Sequence, residues 1–167
     1  DGFFLDETGL LSLFQHGAKG ADLALVEGVM GLFDGKDPLG QVGSTAQVAK
    51  LLKAPVALVV DASGMAGSIV PLVQGFRNFD PGVQVVGVFA NRVGSPRHAE
   101  LLREALGQVG LPLLGWLPQD PLLEIPERHL GLVLAGEIRP PLAALRRAFQ
   151  VDLEAVLRLA TSALPLP

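Results

Sequence analysis

Four runs of consecutive apolar residues recur along the chain with helical material between them, and that repeat constrains its fold more than any other feature. They are Leu23–Glu27, Val56–Asp61 (VALVVD), Val83–Asn91 (VQVVGVFAN) and Leu111–Leu117 (LPLLGWL). Each is apolar throughout rather than alternating, the pattern of strands covered on both faces, as in a parallel sheet. Three helix candidates alternate with them: STAQVAKLLK from Ser44, AGSIVPLVQGFRNF from Ala66 and SPRHAELLREALGQVG from Ser95. The last has Ser95 as N-cap, Pro96 at its first helical position and an end near Gly110. Strands and helices alternating at these lengths predict an α/β fold, a mostly parallel sheet flanked by helices with right-handed connections.

The C-terminal part departs from this alternation. Residues 142–163 carry helical apolar spacing, as two helices meeting near Val151 and Asp152, after the proline-marked segment EIRPPLAAL. The last four residues, LPLP, read as the start of a linker, which leaves residues 1–163 as one domain. At 167 residues and 49% apolar, with a mean hydropathy of +0.42, the chain has material for a substantial core. No apolar stretch approaches the roughly 18 residues of a membrane span, and no signal peptide is recognisable. The absence of cysteine excludes disulfides and thiolate metal sites and fits a cytoplasmic compartment. A net charge of −4 without a basic stripe argues against nucleic acid as a partner.

Three of the apolar runs stop at a polar side chain: Glu27, Asp61 and Asn91. In an open α/β sheet, ligands bind beyond the carboxyl ends of the strands, so these three are expected along one rim of the sheet. An Asp or Asn at a strand end is often only a turn former; three in register favour a shared ligand site. Glu27 opens the segment EGVMGLFDG, with further acids at Asp34 and Asp37. Glycines at 28, 31 and 35 would let that loop turn tightly and approach a ligand, and hard carboxylate oxygens suit Mg²⁺ bridging substrate phosphates. The plain alternative is an acidic surface loop without metal.

Ser44 and Thr45 open a helix, with Gln47 near the capping-box position; a plain cap is favoured over an anion site. Asn91 and Arg92 could reach a base edge and a phosphate. His16, His98 and His129 are too scattered for a metal site; His98 reads as a solvated residue in the first turn of a helix, and Trp116 as packing. No G-x-x-x-x-G-K-[ST] phosphate loop occurs in these residues.

The segments DLALVEGVMGLFDG, STAQVAKLLKAPVALVVDASGMAGS, GVFANRVGSPRHAELLREAL and PERHLGLVLAGE resemble the cobyrinic acid a,c-diamide synthase family of cobalamin biosynthesis. The likeness runs in order from FFLDETGLLSLF to VDLEAVLRLA. It implies a dethiobiotin-synthetase-like P-loop NTPase fold, here without its N-terminal strand and phosphate loop, followed in the family by a glutaminase domain. The implied chemistry is ATP- and glutamine-dependent: a corrinoid carboxylate, cobyrinate or hydrogenobyrinate, is phosphorylated, and ammonia displaces phosphate to leave an amide.

Carried over by motif, the resemblance implies that Glu27 supports Mg²⁺ at the nucleotide phosphates and that Asp34 acts in catalysis or substrate placement. It places Asn91, with Arg92 beside it, where the adenine base of ATP is read, with Asp61 on the same nucleotide side. Asp6 falls near the substrate, and Arg128 and His129 of PERHLGL on the rim near substrate or nucleotide. The chain then corresponds to a central piece of a longer enzyme, inactive alone, whose open apolar flank is covered by disorder or by self-association as a homodimer. The rival readings are a sister corrinoid amidase (cobyric acid synthase), a partitioning-type ATPase of the same superfamily, and a non-catalytic α/β module. The partitioning reading calls for a membrane- or DNA-binding element, and none is recognisable.

Overall fold

In a computed structural model, which describes residues 2, 4–39, 42–124 and 141–163, the chain divides into two compact units. One comprises Asp1–Val56, Phe76–Val86 and Val156–Pro167; the other comprises Ala57–Gly75 and Gly87–Ala155. The chain forms α1 (Glu7–Ala18), α2 (Thr45–Leu51), β1 (Val56–Asp61), α3 (Ile69–Phe79), β2 (Val85–Val93), α4 (Pro96–Gly107) and β3 (Leu113–Pro118). A 3-10 turn at Pro121–Leu123 follows, then α5 (Leu142–Ala148), β4 (Gln150–Val151) and α6 (Leu153–Ala160).

The second unit holds the sheet, in the order β1-β2-β3-β4. β2 and β3 pair in parallel, with Val88 opposite Leu113, Phe89 opposite Gly115, Ala90 opposite Trp116 and Val93 opposite Pro118. β4 closes the order antiparallel to β3, Gly115 facing Val151 and Trp116 facing Gln150. The α/β expectation holds. So does the start of α4: Ser95 Oγ accepts the His98 N–H at 3.1 Å, and Pro96, with no N–H to satisfy, begins the helix. Ala99, Leu102 and Leu106 then form a buried stripe at helical spacing, and α4 packs against β3. Each fully buried leucine contributes roughly 1.5–3 kcal/mol relative to an exposed one. Ile69 and Val73 of α3, Val88, Ala90 and Val93 of β2, and Leu113 and Leu114 of β3 are buried as well.

Two glycines allow the sheet its local packing. A Cβ on Gly87 would lie 2.6 Å from the Leu114 side chain, and one on Gly115 would lie 2.6 Å from the Gln150 carbonyl oxygen. β4, absent from the sequence reading, sits between the two expected C-terminal helices. A two-residue strand leaves no periodicity to read, and its place beside β3 depends on Gly115 having no side chain.

In the first unit, Leu32, Ala46, Ala49, Leu52, Val83 and Val85 are buried, and Phe33 packs against Phe76 and Phe79 with ring centroids 6.1 and 4.6 Å away. Lys50 Nζ pairs with Asp80 Oδ2 at 2.7 Å, and Asp80 Oδ1 accepts the Gly82 N–H at 2.8 Å. α2 is a capped helix: Ser44 Oγ accepts the Gln47 N–H, and Gln47 Oε1 accepts from Gly43. Among the described residues no helix is long and apolar enough to cross a membrane.

Two expectations are corrected. Leu23–Glu27 is not a strand: the segment runs without regular structure, and every residue from 21 to 30 is exposed. Apolar content makes a strand only where backbone N–H and C=O groups find a ladder, and this run has no such partner among the described residues. β1 is covered on one face only, burying Leu58 and Val60 but leaving Val59 74% exposed. It lies at the end of the strand order.

Gly115→Ala is therefore expected to destabilise the chain by about 1–3 kcal/mol, because the atom it meets is backbone. Gly75→Ala, a helical site with open space around it, should stabilise by about 0.5–1 kcal/mol; urea unfolding of both variants checks this. The Lys50 ammonium, then the Gly82 N–H, lower the Asp80 carboxyl below its ordinary value of 3.8. A lowered folded-state pKa stabilises above the ordinary value, and that contribution disappears as pH falls through the lowered one. The stability gap between wild type and Asp80→Asn should thus be constant near neutrality and close below about pH 4, as read by denaturation at a series of pH values.

Candidate functional site

Parallel strands deliver their carboxyl ends to one edge, and β1 and β2 of the second unit end there with Asp61 and with Asn91 and Arg92. The register explains how the latter two leave the ladder. Ala90 faces Trp116 and Val93 faces Pro118, so Asn91 and Arg92 together stand opposite the one residue Leu117. This is a β-bulge, which re-aims side chains at a sheet rim. Arg92 adopts φ +57°, a left-handed conformation that a side chain with a Cβ rarely takes.

The bulge is held by its own polar groups. The Ala62 N–H donates to the Asn91 carbonyl at 2.9 Å, and the Arg92 N–H donates to Asn91 Oδ1 at 3.0 Å. Arg92 Nη1 pairs with Asp61 Oδ2 at 3.0 Å, while Asp61 Oδ1 accepts the Ser63 N–H at 3.0 Å. Asp61, Asn91 and Arg92 are thus brought together; Glu27, expected on the same rim, ends no strand, because its segment has no regular structure. Both charged side chains are about half exposed, 51% for Arg92 and 50% for Asp61. An ion pair that open contributes at most about 1 kcal/mol, whereas a left-handed arginine costs on the order of 1–2 kcal/mol. The ion pair alone does not offset that strain, and a strained residue at a sheet rim marks a candidate site. The Asn91 amide nitrogen has no protein partner among the described residues and is left as a donor.

His98 is not the solvated residue expected from sequence. It is half-buried: its Nδ1 accepts the Gly94 N–H at 3.1 Å, and its Nε2 lies 2.5 Å from the Met65 carbonyl oxygen. Sequence reasoning missed this because the partners are backbone groups of two loops; the only signal was a histidine three residues after a capping serine. Trp116 packs in β3 as expected.

The acids of the first unit divide by use. Asp37 supports its own turn, accepting from Leu39 and Val42 at 3.0 and 2.7 Å. Glu27 and Asp34 are exposed, and their carboxylates have no hydrogen-bond partner among the described residues. A Cβ on Gly28 would lie 2.6 Å from the Thr45 side chain, and those on Gly31 and Gly35 would overlap the Asp34 carboxylate and the Val42 carbonyl. Gly28 and Gly35 are therefore required by the way the loop presses on the segment leading into α2, whereas at Gly31 the conflict is with the movable Asp34 carboxylate. Asp6 is the N-cap of α1, accepting the Gly9 N–H at 2.8 Å. Arg128 and His129 lie outside the described residues. No group of three or more histidine and acidic side chains converges among the described residues. Mg²⁺ would suit Glu27 as one exposed hard-oxygen donor, with water and phosphate oxygens supplying the rest.

The Ser63 N–H, then the Ser63 hydroxyl and the Arg92 guanidinium, hold the Asp61 carboxyl below its ordinary value of 3.8. Because Ser63 leads, Arg92→Gln should leave Asp61 still titrating below 3.8 in a ¹³C carboxyl titration by NMR. A return to the ordinary value would assign the effect to the ion pair instead.

Comparison with known proteins supplies the relatives. Residues 9–133 match the CobQ/CobB/MinD/ParA nucleotide binding domain. The chain is 53% identical over 156 residues to the hydrogenobyrinate a,c-diamide synthase of Streptomyces coelicolor, covering 90% of the chain and 32% of that protein. It is 44% identical over 143 residues to the cobyrinate a,c-diamide synthase of Methanosarcina acetivorans, and 48% over 138 residues to that of Gloeobacter violaceus. Each of these alignments covers 83% of the chain, and 29% and 30% of the two relatives. The chain thus spans about a third of the length of the curated relatives it matches. No solved structure matches. With the family match running over most of its length, the chain belongs to the CobQ/CobB/MinD/ParA nucleotide-binding domain family.

Proposed function

We propose that this chain is the nucleotide-side part of an ATP- and glutamine-dependent amidoligase that converts the a and c carboxylates of cobyrinate or hydrogenobyrinate to amides. The observation that carries the reading is the Asp61–Asn91–Arg92 group at the carboxyl edge of the sheet, in a chain whose relatives are named as a,c-diamide synthases. A carboxylate at neutral pH is a poor electrophile with a poor leaving group. Transfer of the γ-phosphoryl group of ATP to a carboxylate oxygen gives an acyl phosphate; attack by ammonia then expels phosphate and leaves the amide.

The chain's residues divide this work by chemistry. The Asn91 amide offers a donor and an acceptor to the edge of a planar base, and Arg92 a fork of N–H donors to anionic oxygen. Asp61 keeps that guanidinium oriented when no ligand is bound. Glu27 is the donor for Mg²⁺, which would neutralise charge on the phosphates during transfer. Asp34, on the same glycine loop, is assigned to substrate placement.

In the complete enzyme, Glu27→Gln should lower Mg²⁺-dependent, ATP-driven amidation by roughly 10²–10³-fold in kcat, the scale for losing one charge-stabilising group. The change keeps the side chain's size and removes only its charge, so the fold should be unaffected. Amidation at the wild-type rate would take Glu27 out of the mechanism.

A further inference from the structure

We infer that His98 is a positioning residue that locks the Asn91–Arg92 bulge in its ligand-ready shape. Its imidazole closes a ring of hydrogen bonds around the carboxyl ends of β1 and β2. The Asn91 carbonyl accepts from the Ala62 N–H at 2.9 Å, and the Ala62 carbonyl accepts from the Met65 N–H at 3.0 Å. The Met65 carbonyl accepts from His98 Nε2 at 2.5 Å, and His98 Nδ1 accepts from the Gly94 N–H at 3.1 Å. Gly94 lies two residues beyond Arg92 and returns the path to the bulge along the chain. The Asp61–Arg92 pair is a cross-link between the same two strand ends.

The ring makes a specific demand on residue 98. One edge of the side chain must accept from Gly94 while the other donates to Met65. The neutral imidazole with its proton on Nε2 does both. Ser95 holds the backbone of that residue through the N-cap bond at 3.1 Å, so the imidazole starts from a fixed point at the head of α4. The histidine makes none of these bonds to the hydrophobic core; both of its ring partners are loop backbone groups. Its effect therefore falls on the shape of the rim. The local bonds of Arg92 to Asn91 and Asp61 are exposed, and two loops tied together on either side of the left-handed arginine add a restraint that those bonds do not supply.

The role rests on the proposed use of Asn91 and Arg92 to hold a nucleotide, and the test separates the two. Three variants of the complete enzyme are compared. His98→Asn retains an acceptor near the Nδ1 position and loses the donor to Met65; His98→Gln retains a donor near the Nε2 position and loses the acceptor for Gly94; His98→Phe loses both. With wild-type-like melting, His98→Phe should raise the KM for ATP about tenfold with kcat within about twofold, the signature of lost binding without lost chemistry. His98→Asn and His98→Gln should fall between wild type and His98→Phe. Amide hydrogen exchange at Arg92 and Gly94 should accelerate about tenfold in His98→Phe, and His98→Asn should restore protection at Gly94. An unchanged KM in an ATP-dependent enzyme, or unchanged exchange at both amides, overturns the positioning role. A wild-type enzyme that amidates without ATP brings down the nucleotide reading instead, and exchange at the two amides then decides the role of His98 alone. If His98→Phe does not fold, the ranking of His98→Asn and His98→Gln in KM and in Gly94 exchange decides it.

Discussion

Parallel pairing of β2 with β3 is the constraint on which the second unit depends. Strands that run the same way end on the same side, so any polar residue stationed at a strand end is delivered to a common rim whatever its sequence separation. The ladder is tight enough to need Gly87 beneath Leu114 and Gly115 beneath the Gln150 carbonyl. Its register shifts between Val88 and Phe89 and again at its carboxyl end, where two residues of β2 stand opposite one of β3. Buried side chains on α4 pack against β3, and the irregular carboxyl end of the ladder is left free to carry chemistry.

The energies support that division. The leucines and valines of the core each contribute a few times more than the half-exposed pair of Asp61 and Arg92, so removing the pair would barely register in the stability of the sheet. The rim is correspondingly cheap to reshape: its hydrogen bonds can be exchanged for bonds to a ligand without opening the core. A strained arginine, a donor left over on Asn91 and a carboxylate whose proton affinity is set mainly by Ser63 are compatible with a surface kept ready for an anionic, planar partner.

Much of this was legible from sequence where the signal is local or repeated. VALVVD marks β1 to the residue, and Ser95 with Pro96 marks the head of α4, because capping and a missing N–H are properties of two or three adjacent residues. Asp61 closes β1 as expected, whereas β2 runs two residues past Asn91, to Val93. β2 and β3 were placed within two residues. What escaped depends on partners distant in sequence. LALVE has the composition of a strand, yet strand formation belongs to a pair of segments and not to one. The bulge follows from the register against β3, and the histidine bonds follow from two loops meeting. Val59 shows the same limit on a smaller scale: an apolar side chain reports that it can be buried, and the neighbouring layer determines whether it is.

The acids of the glycine loop show how structure sorts residues that sequence leaves equivalent. Glu27, Asp34 and Asp37 have like charge and lie within eleven residues of one another. Asp37 spends both carboxylate oxygens on backbone N–H groups of its own turn, so recruiting it for a ligand would first undo the loop. The carboxylates of Glu27 and Asp34 make no such bonds among the described residues and are exposed to solvent. A hydrated carboxylate exchanges water for a hard cation or a substrate donor without breaking any protein contact, which makes these two the acids of the loop that can change partners during a reaction. The glycines between them complete the argument. Side chains at 28 and 35 would strike Thr45 and the Val42 carbonyl, so the loop keeps bare backbone there because its own fold requires it. The open approach to Glu27 and Asp34 follows from that packing.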